Sequence, residues 1–300
     1  MTRRFQTLDV FTETALAGNP LAVVLDAGGL DDSRMQAVAA EFNLSETVFV
    51  FEPRDAVNSA RVRIFTPKRE LPFAGHPTVG AAALIAHLRA SDLLAAQDLR
   101  IVLEEPIGDV VCVARRRKGQ ALAAYFELPR LPERLEPKPP STVQIAASLG
   151  LELQDVSFEG HEPSVFSAGA PYLFVPVRSL DAIGRTAPGI MPWATKDGPA
   201  TFVYTKETER EGSAYHARMF ASAWGLYEDP ATGSAAAAFA GVVQAFDRPR
   251  DGEHTLTIEQ GFEMGRPSLI ALGLVIENGA LVSATIGGSV IMVSSGTLDL

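Results

Sequence analysis

The sequence predicts an α+β protein of two pseudo-symmetric domains, each a β-barrel-like antiparallel sheet wrapped around one central helix. Three observations carry this. Five prolines fall within twelve positions, 129 to 140, and divide the 300 residues into two halves, each long enough for a core. Each half contains one helix-length run almost free of charge. The two runs open on related motifs at a constant spacing.

The order along the chain supports each point. Arg61-Val62-Arg63-Ile64-Phe65 and much of Gly108 to Ala114 alternate as strands do. Asp32 to Glu41 and Ser141 to Leu149 read as amphipathic helices, each opening on a plausible capping residue. Arg115-Arg116-Arg117-Lys118 with Gly119-Gln120 reads as a solvated hairpin turn. Asn278-Gly279 between Ala271–Ile276 and Ala280–Ile286 is a strong hairpin signal. The proline segment reads as a linker without ladder or helix, the alternative being a long loop inside one domain. Domains are therefore expected on either side of it, over 1–128 and over 129–286.

The two apolar helices are Thr78 to Ala86 and Ala235 to Val243. A helix apolar on all sides must be surrounded by protein or lipid, and neither run approaches the ~18 residues of a membrane span. In a β-rich half the economical arrangement encloses the helix in a strongly curved sheet, where small residues suit the narrow space. Two ordinary helices on flat sheets are the alternative. Pro72-Phe73-Ala74-Gly75-His76 and Pro230-Ala231-Thr232-Gly233-Ser234 share P-x-x-G-[His/Ser] at an offset of 158 (230−72, 233−75, 234−76), which reads as an internal duplication.

Composition excludes several functions. Lys+Arg 26 against Asp+Glu 36 gives −10, a surface that repels phosphate backbones and anionic lipid, so neither nucleic acid nor membrane is an expected partner. The N-terminal Arg3-Arg4 has no apolar region behind it, so a cytoplasmic location is expected. One cysteine, Cys112, rules out an intrachain disulfide, and the five histidines have no metal-binding spacing. No G-x-G-x-x-G or P-loop is present, and Ser234 stands in no G-x-S-x-G elbow.

The duplicated feature is a helix start, which presents unpaired N–H groups and a partial positive charge. Gly75 and Gly233 let a ligand approach the backbone, so two such starts suit a small anionic, amino-acid-like substrate; tight turns are the plainer reading. His76 and Asp229 flank the starts, and Glu46 stands at the entry to the apolar strand Thr47–Val50. Burial there would move a carboxyl toward the range useful for proton transfer, although spacing does not join Glu46 to the other two.

Arg63-Ile64-Phe65-Thr66-Pro67 followed by Glu70 to Thr78 resembles the signature of the phenazine-biosynthesis PhzF-like isomerase family. Ala17-Gly18-Asn19-Pro20, Leu44-Ser45-Glu46-Thr47, Glu228 to Ala235 and Gly261 to Ser268 extend the match over nearly the whole chain. The resemblance implies a diaminopimelate-epimerase-like fold with the active site between two domains. It also implies that the C-terminal strand, near 289–296 and within the segment 287–300, returns to join the first domain, and a homodimer without metal or organic cofactor. By the same resemblance Glu46 is the general acid/base and His76 and Asp229 complete the catalytic set. Ser45, Gly75, Gly233 and Ser234 bind substrate.

The expected reaction moves a proton on a small carboxylate, similar to the isomerisation of trans-2,3-dihydro-3-hydroxyanthranilate. Two-thiol racemisation is unavailable, because the helix starts carry Gly75-His76 and Gly233-Ser234 and the only thiol is elsewhere. Two other classes stay open: a non-catalytic binding protein of the same fold, and a serine hydrolase using Ser234, His76 and Asp229.

Overall fold

A computed structural model describes residues 2–136, 138–224 and 226–300; Met1 and Pro137, one of the five linker prolines, lie outside the described residues. The chain forms two compact units, Met1–Glu127 with Gly287–Leu300, and Leu128–Ile286.

The first unit contributes, in order, β1 (Thr2–Val10), β2 (Asn19–Val24), α1 (Asp32–Phe42), β3 (Glu46–Phe51), β4 (Ala60–Phe65), β5 (Glu70–Leu71), α2 (Gly75–Leu94), β6 (Leu99–Glu105), β7 (Gly108–Arg115) and β8 (Leu122–Glu127). The second contributes β9 (Glu133–Arg134), α3 (Thr142–Leu149), β10 (Ser164–Ser167), β11 (Pro171–Pro176), α4 (Leu180–Arg185), β12 (Ala200–Thr205), β13 (Tyr215–Ala221), β14 (Leu226–Asp229), α5 (Gly233–Val242), β15 (Gly252–Gln260) and β16 (Ser268–Glu277). The last strand, β17 (Ala280–Asp299), begins in the second unit and passes to the first at Gly287.

In the first unit β17 pairs with β1, and the ladder continues β1–β2–β3–β4–β6–β7–β8 before β8 returns to β17. Eight strands close on themselves. Two pairings are parallel, β2 with β3 and β4 with β6; the rest with a recorded register are antiparallel. The second unit repeats the plan. β10 pairs with β9 and β11, β11 with β12 in parallel, β12 with β13, β13 with β15 in parallel, and β15 with β16. The parallel steps recur at the same places, and the enclosed helix follows the same short strand, β5 or β14. The duplication read from five residues therefore extends through the strand order.

Both helices are enclosed. α2 packs against β1, β2, β3, β6, β7 and β8, and every residue from Gly75 to Ala86 is buried. α5 packs against β9, β10, β11 and β16 and is buried everywhere except Ser234. Clearance is small: a Cβ on Gly80 would lie 2.5 Å from Leu21 Cδ2 and 3.0 Å from Val10 Cγ2. Once past the enclosure α2 kinks, at Ala90 (φ −151°, ψ 42°).

Some expectations need correction. The N-cap of α1 is Asp31, whose side chain accepts from Arg34 N–H, one residue before the expected Asp32. The enclosed helices begin at Gly75 and Gly233, earlier than their apolar runs; in α2, Pro77 is tolerated in the first turn, where no intrahelical N–H bond is needed. The proline segment is not ladder-free. Glu133 and Arg134 keep their N–H groups between prolines and pair with Ser167 and Phe166. Asn278 and Gly279 both have positive φ, 51° and 73°, as a two-residue hairpin turn demands. No helix among the described residues is long and apolar enough to cross a membrane.

Candidate active site

Each enclosed helix starts without a side-chain cap. Ala74 and Thr232 occupy the cap positions, and neither side chain accepts from the first turn. First-turn N–H groups on Gly75 and His76, and on Gly233 and Ser234, are thus left for another acceptor.

In the first unit, Glu46 is the opening residue of β3, set opposite Leu21 of β2. Its Oε2 lies 3.4 Å from His76 Nε2, with side-chain exposures of 17% and 5%. The distance suits an ion pair, but the alignment makes no hydrogen bond. Burial pushes the His76 pKa down to about 3, so the ring is neutral at physiological pH. Desolvation is the cause, because burial disfavours the charged ring. The structure thus brings together two residues thirty positions apart that spacing alone left unconnected.

In the second unit, Asp229 closes β14 and is 5% exposed. Its Oδ2 accepts from Thr232 Oγ1 at 2.6 Å, and Gln260 Nε2 donates to the Asp229 carbonyl at 2.7 Å. Gln260 also donates to Thr232 Oγ1 at 3.0 Å and accepts from Thr232 N–H at 3.0 Å. Ser234 Oγ stands 2.7 Å from the Tyr172 hydroxyl, which is too weak a base to activate a serine nucleophile.

Reasoning from sequence missed the supports of these starts. Arg63 grips Glu70 through two bonds of 2.6 Å, and Arg218 grips Glu228 through bonds of 2.8 and 2.9 Å. Each joins the strand before the helix start to the short strand leading into it. The signal was present: Arg63-Ile64-Phe65 and Arg218-Met219-Phe220 lie 155 apart, and the two glutamates 158 apart. Gly261, at φ +78°, abuts Pro230, where a Cβ would lie 2.6 Å from the Pro230 carbonyl oxygen. Glu263 of the same segment receives His216 Nε2 at 3.0 Å, while His216 Nδ1 meets Glu259 at 2.9 Å.

The family model for phenazine biosynthesis-like proteins matches residues 8–296. The chain belongs to the phenazine biosynthesis-like family. This family member is 48% identical to an uncharacterized isomerase of Mesorhizobium japonicum, with 99% of each chain covered. It is 32% identical to the trans-2,3-dihydro-3-hydroxyanthranilate isomerase of Pseudomonas fluorescens, with 98% of each covered. The crystal structure of a PhzF-family phenazine biosynthesis protein from Bacillus anthracis superposes with a TM-score of 0.87 at 26% identity, over 100% of both chains. The phenazine biosynthesis-like chain therefore has the diaminopimelate-epimerase-like fold that its motifs resemble, and it is an isomerase.

Proposed function

We propose that this isomerase moves a proton on a small carboxylate substrate, that Glu46 carries the proton, and that no cofactor takes part. The observation supporting this most strongly is the contact of Glu46 with a neutral, buried His76 at the uncapped start of α2. An imidazolium there would hold Glu46 ionised and make it a poor acid; a neutral ring leaves the carboxyl free to accept and return a proton. The first-turn N–H groups offer donors to a substrate oxygen as negative charge develops. In this reading Asp229, Gly233 and Ser234 hold substrate oxygen or nitrogen atoms, and Ser45 lies beside the acid. The bond between Ser234 and Tyr172 favours a binding role over a nucleophilic one. The family resemblance also carries a cytoplasmic homodimer, which sedimentation equilibrium and cell fractionation test.

The deciding experiment follows deuterium uptake from heavy water into trans-2,3-dihydro-3-hydroxyanthranilate, alongside a panel of small amino and hydroxy acids. A general acid/base contributes ~10²–10⁴-fold, so Glu46→Gln should lose at least ~100-fold in exchange while still binding. Wild-type exchange in that variant removes Glu46 from the mechanism. Binding without exchange in the wild type, across the panel, favours a non-catalytic protein. A covalent adduct at Ser234 with a serine-directed probe favours a hydrolase.

A further inference from the structure

Glu105 is the last residue of β6, and Gln260 is the last residue of β15. The two positions are equivalent, since β6 lies parallel to β4 as β15 lies parallel to β13. Both side chains are buried, 7% and 0% exposed, and both reach the start of the enclosed helix. Gln260 does so as an amide, donating to Thr232 Oγ1 and the Asp229 carbonyl and accepting from Thr232 N–H. At the other start, Thr78 Oγ1 lies 2.8 Å from the Ala74 carbonyl oxygen and 2.7 Å from Glu105 Oε1. A threonine hydroxyl has one hydrogen. It cannot serve both acceptors, so one of the two short contacts needs a hydrogen from the other side.

We infer that Glu105 is a neutral carboxylic acid whose O–H donates to Thr78, positioning the start of α2 that carries Gly75 and His76 as Gln260 positions the start of α5. Thr78 then donates to the Ala74 carbonyl, and the chain of bonds ends on the cap residue. Two further observations agree. Glu105 Oε2 is buried without a hydrogen-bond partner, which an acid carbonyl tolerates far better than a carboxylate oxygen. Burial raises the Glu105 pKa to about 8, so the protonated acid predominates at pH 7. Cys112 on β7 lies close enough to Glu105 to feel its charge when that carboxyl ionises. Burial holds its thiol protonated, so it brings no charge beside the neutral acid. A carboxyl used only in neutral form can be exchanged for an amide, and the second unit has the amide. The role given to His76 rests on the proton-transfer reading, but the hydrogen-bonding assignment does not.

The test compares Glu105→Gln with Glu105→Leu in the full chain, by NMR of the His76 ring and of the Gly75, His76 and Thr78 amides. Glu105→Gln should leave those signals at their wild-type positions and Glu105→Leu should displace them, a rescue that depends on donor chemistry at one atom. In labelled wild type the Glu105 carboxyl carbon should titrate near pH 8. Displacement of the signals by Glu105→Gln as large as by Glu105→Leu overturns the inference, and so does titration in the ordinary glutamate range. Should Glu105→Leu not fold, the glutamine variant and the wild-type titration decide. None of these measurements uses a substrate, so failure of the proton-transfer reading would leave their result standing.

Discussion

His216 offers the sharpest test of how the second unit is held. Its two ring nitrogens lie 2.9 Å from Glu259 Oε2 and 3.0 Å from Glu263 Oε1. Carboxylates only accept, so a ring that donates to both of them is an imidazolium. Burial lowers the His216 pKa, but the hydrogen bonds and charges of Glu263 and Glu259 outweigh it, and the net shift is upward. The folded protein therefore holds this proton more tightly than the unfolded chain. The stabilisation is complete below the unfolded value of about 6.5 and is lost as pH rises through the folded value, at up to ~1.4 kcal/mol per pH unit. On the acid side, burial opposes but His216 lowers the Glu263 pKa, so that partner's contribution is present above its unfolded value of 4.5 and fades below it. Replacing His216 by Gln removes the charge that faces Glu259, which is 0% exposed and also accepts from the backbone N–H groups of Glu209 and Arg210.

Breaking a buried pair in this way costs ~3–5 kcal/mol. The second unit spans 128–286, or 159 residues, and at ~2–4 °C per kcal/mol for that size its melting midpoint should fall by ~6–20 °C. The assay is thermal melting of wild type and His216→Gln between pH 5 and 9, read as the difference between them. That difference removes the opposite trend from His76, whose depressed pKa makes its contribution fade as pH falls below 6.5. The gap should be widest near pH 6 and narrow above neutrality. A gap that stays constant with pH, or a variant as stable as wild type, refutes the imidazolium bridge.

Gly80→Ala sets two effects against each other. The exchange gains ~1 kcal/mol of helix propensity but drives a Cβ to 2.5 Å from fully buried Leu21, an overpacking that costs ~1–3 kcal/mol, so the melting midpoint should fall. Gly28→Ala, which meets nothing within 4 Å, serves as the control, and a stabilised Gly80→Ala contradicts the tight enclosure. Cys112 is 0% exposed and its thiol pKa is raised well above normal by burial and Glu105. Native protein should resist iodoacetamide at pH 8 and react once unfolded in urea, with intact mass as the readout; rapid native labelling sinks the core assignment.

Much was legible in the sequence because it follows from local chemistry. Asn278-Gly279 makes its hairpin turn since both residues tolerate positive φ, and Ser141 caps α3 through its own hydroxyl. The charge-free runs after Gly75 and Gly233 specified enclosure because an all-apolar helix in water has nowhere else to go. The 158-residue offset announced a duplication that the order of the strands and their parallel steps then displayed. What folding decided are the relations between residues far apart in the chain. Glu46 meets His76 only because β2 and β3 run parallel beside the start of α2, an arrangement that residue spacing does not encode. The neutrality of His76 and Glu105 is likewise a property of desolvation, which depends on what surrounds a side chain rather than on its neighbours in sequence. The amide at Gln260 and the acid at Glu105 looked unrelated along the chain, and they became counterparts once each unit placed its own at the end of the equivalent strand.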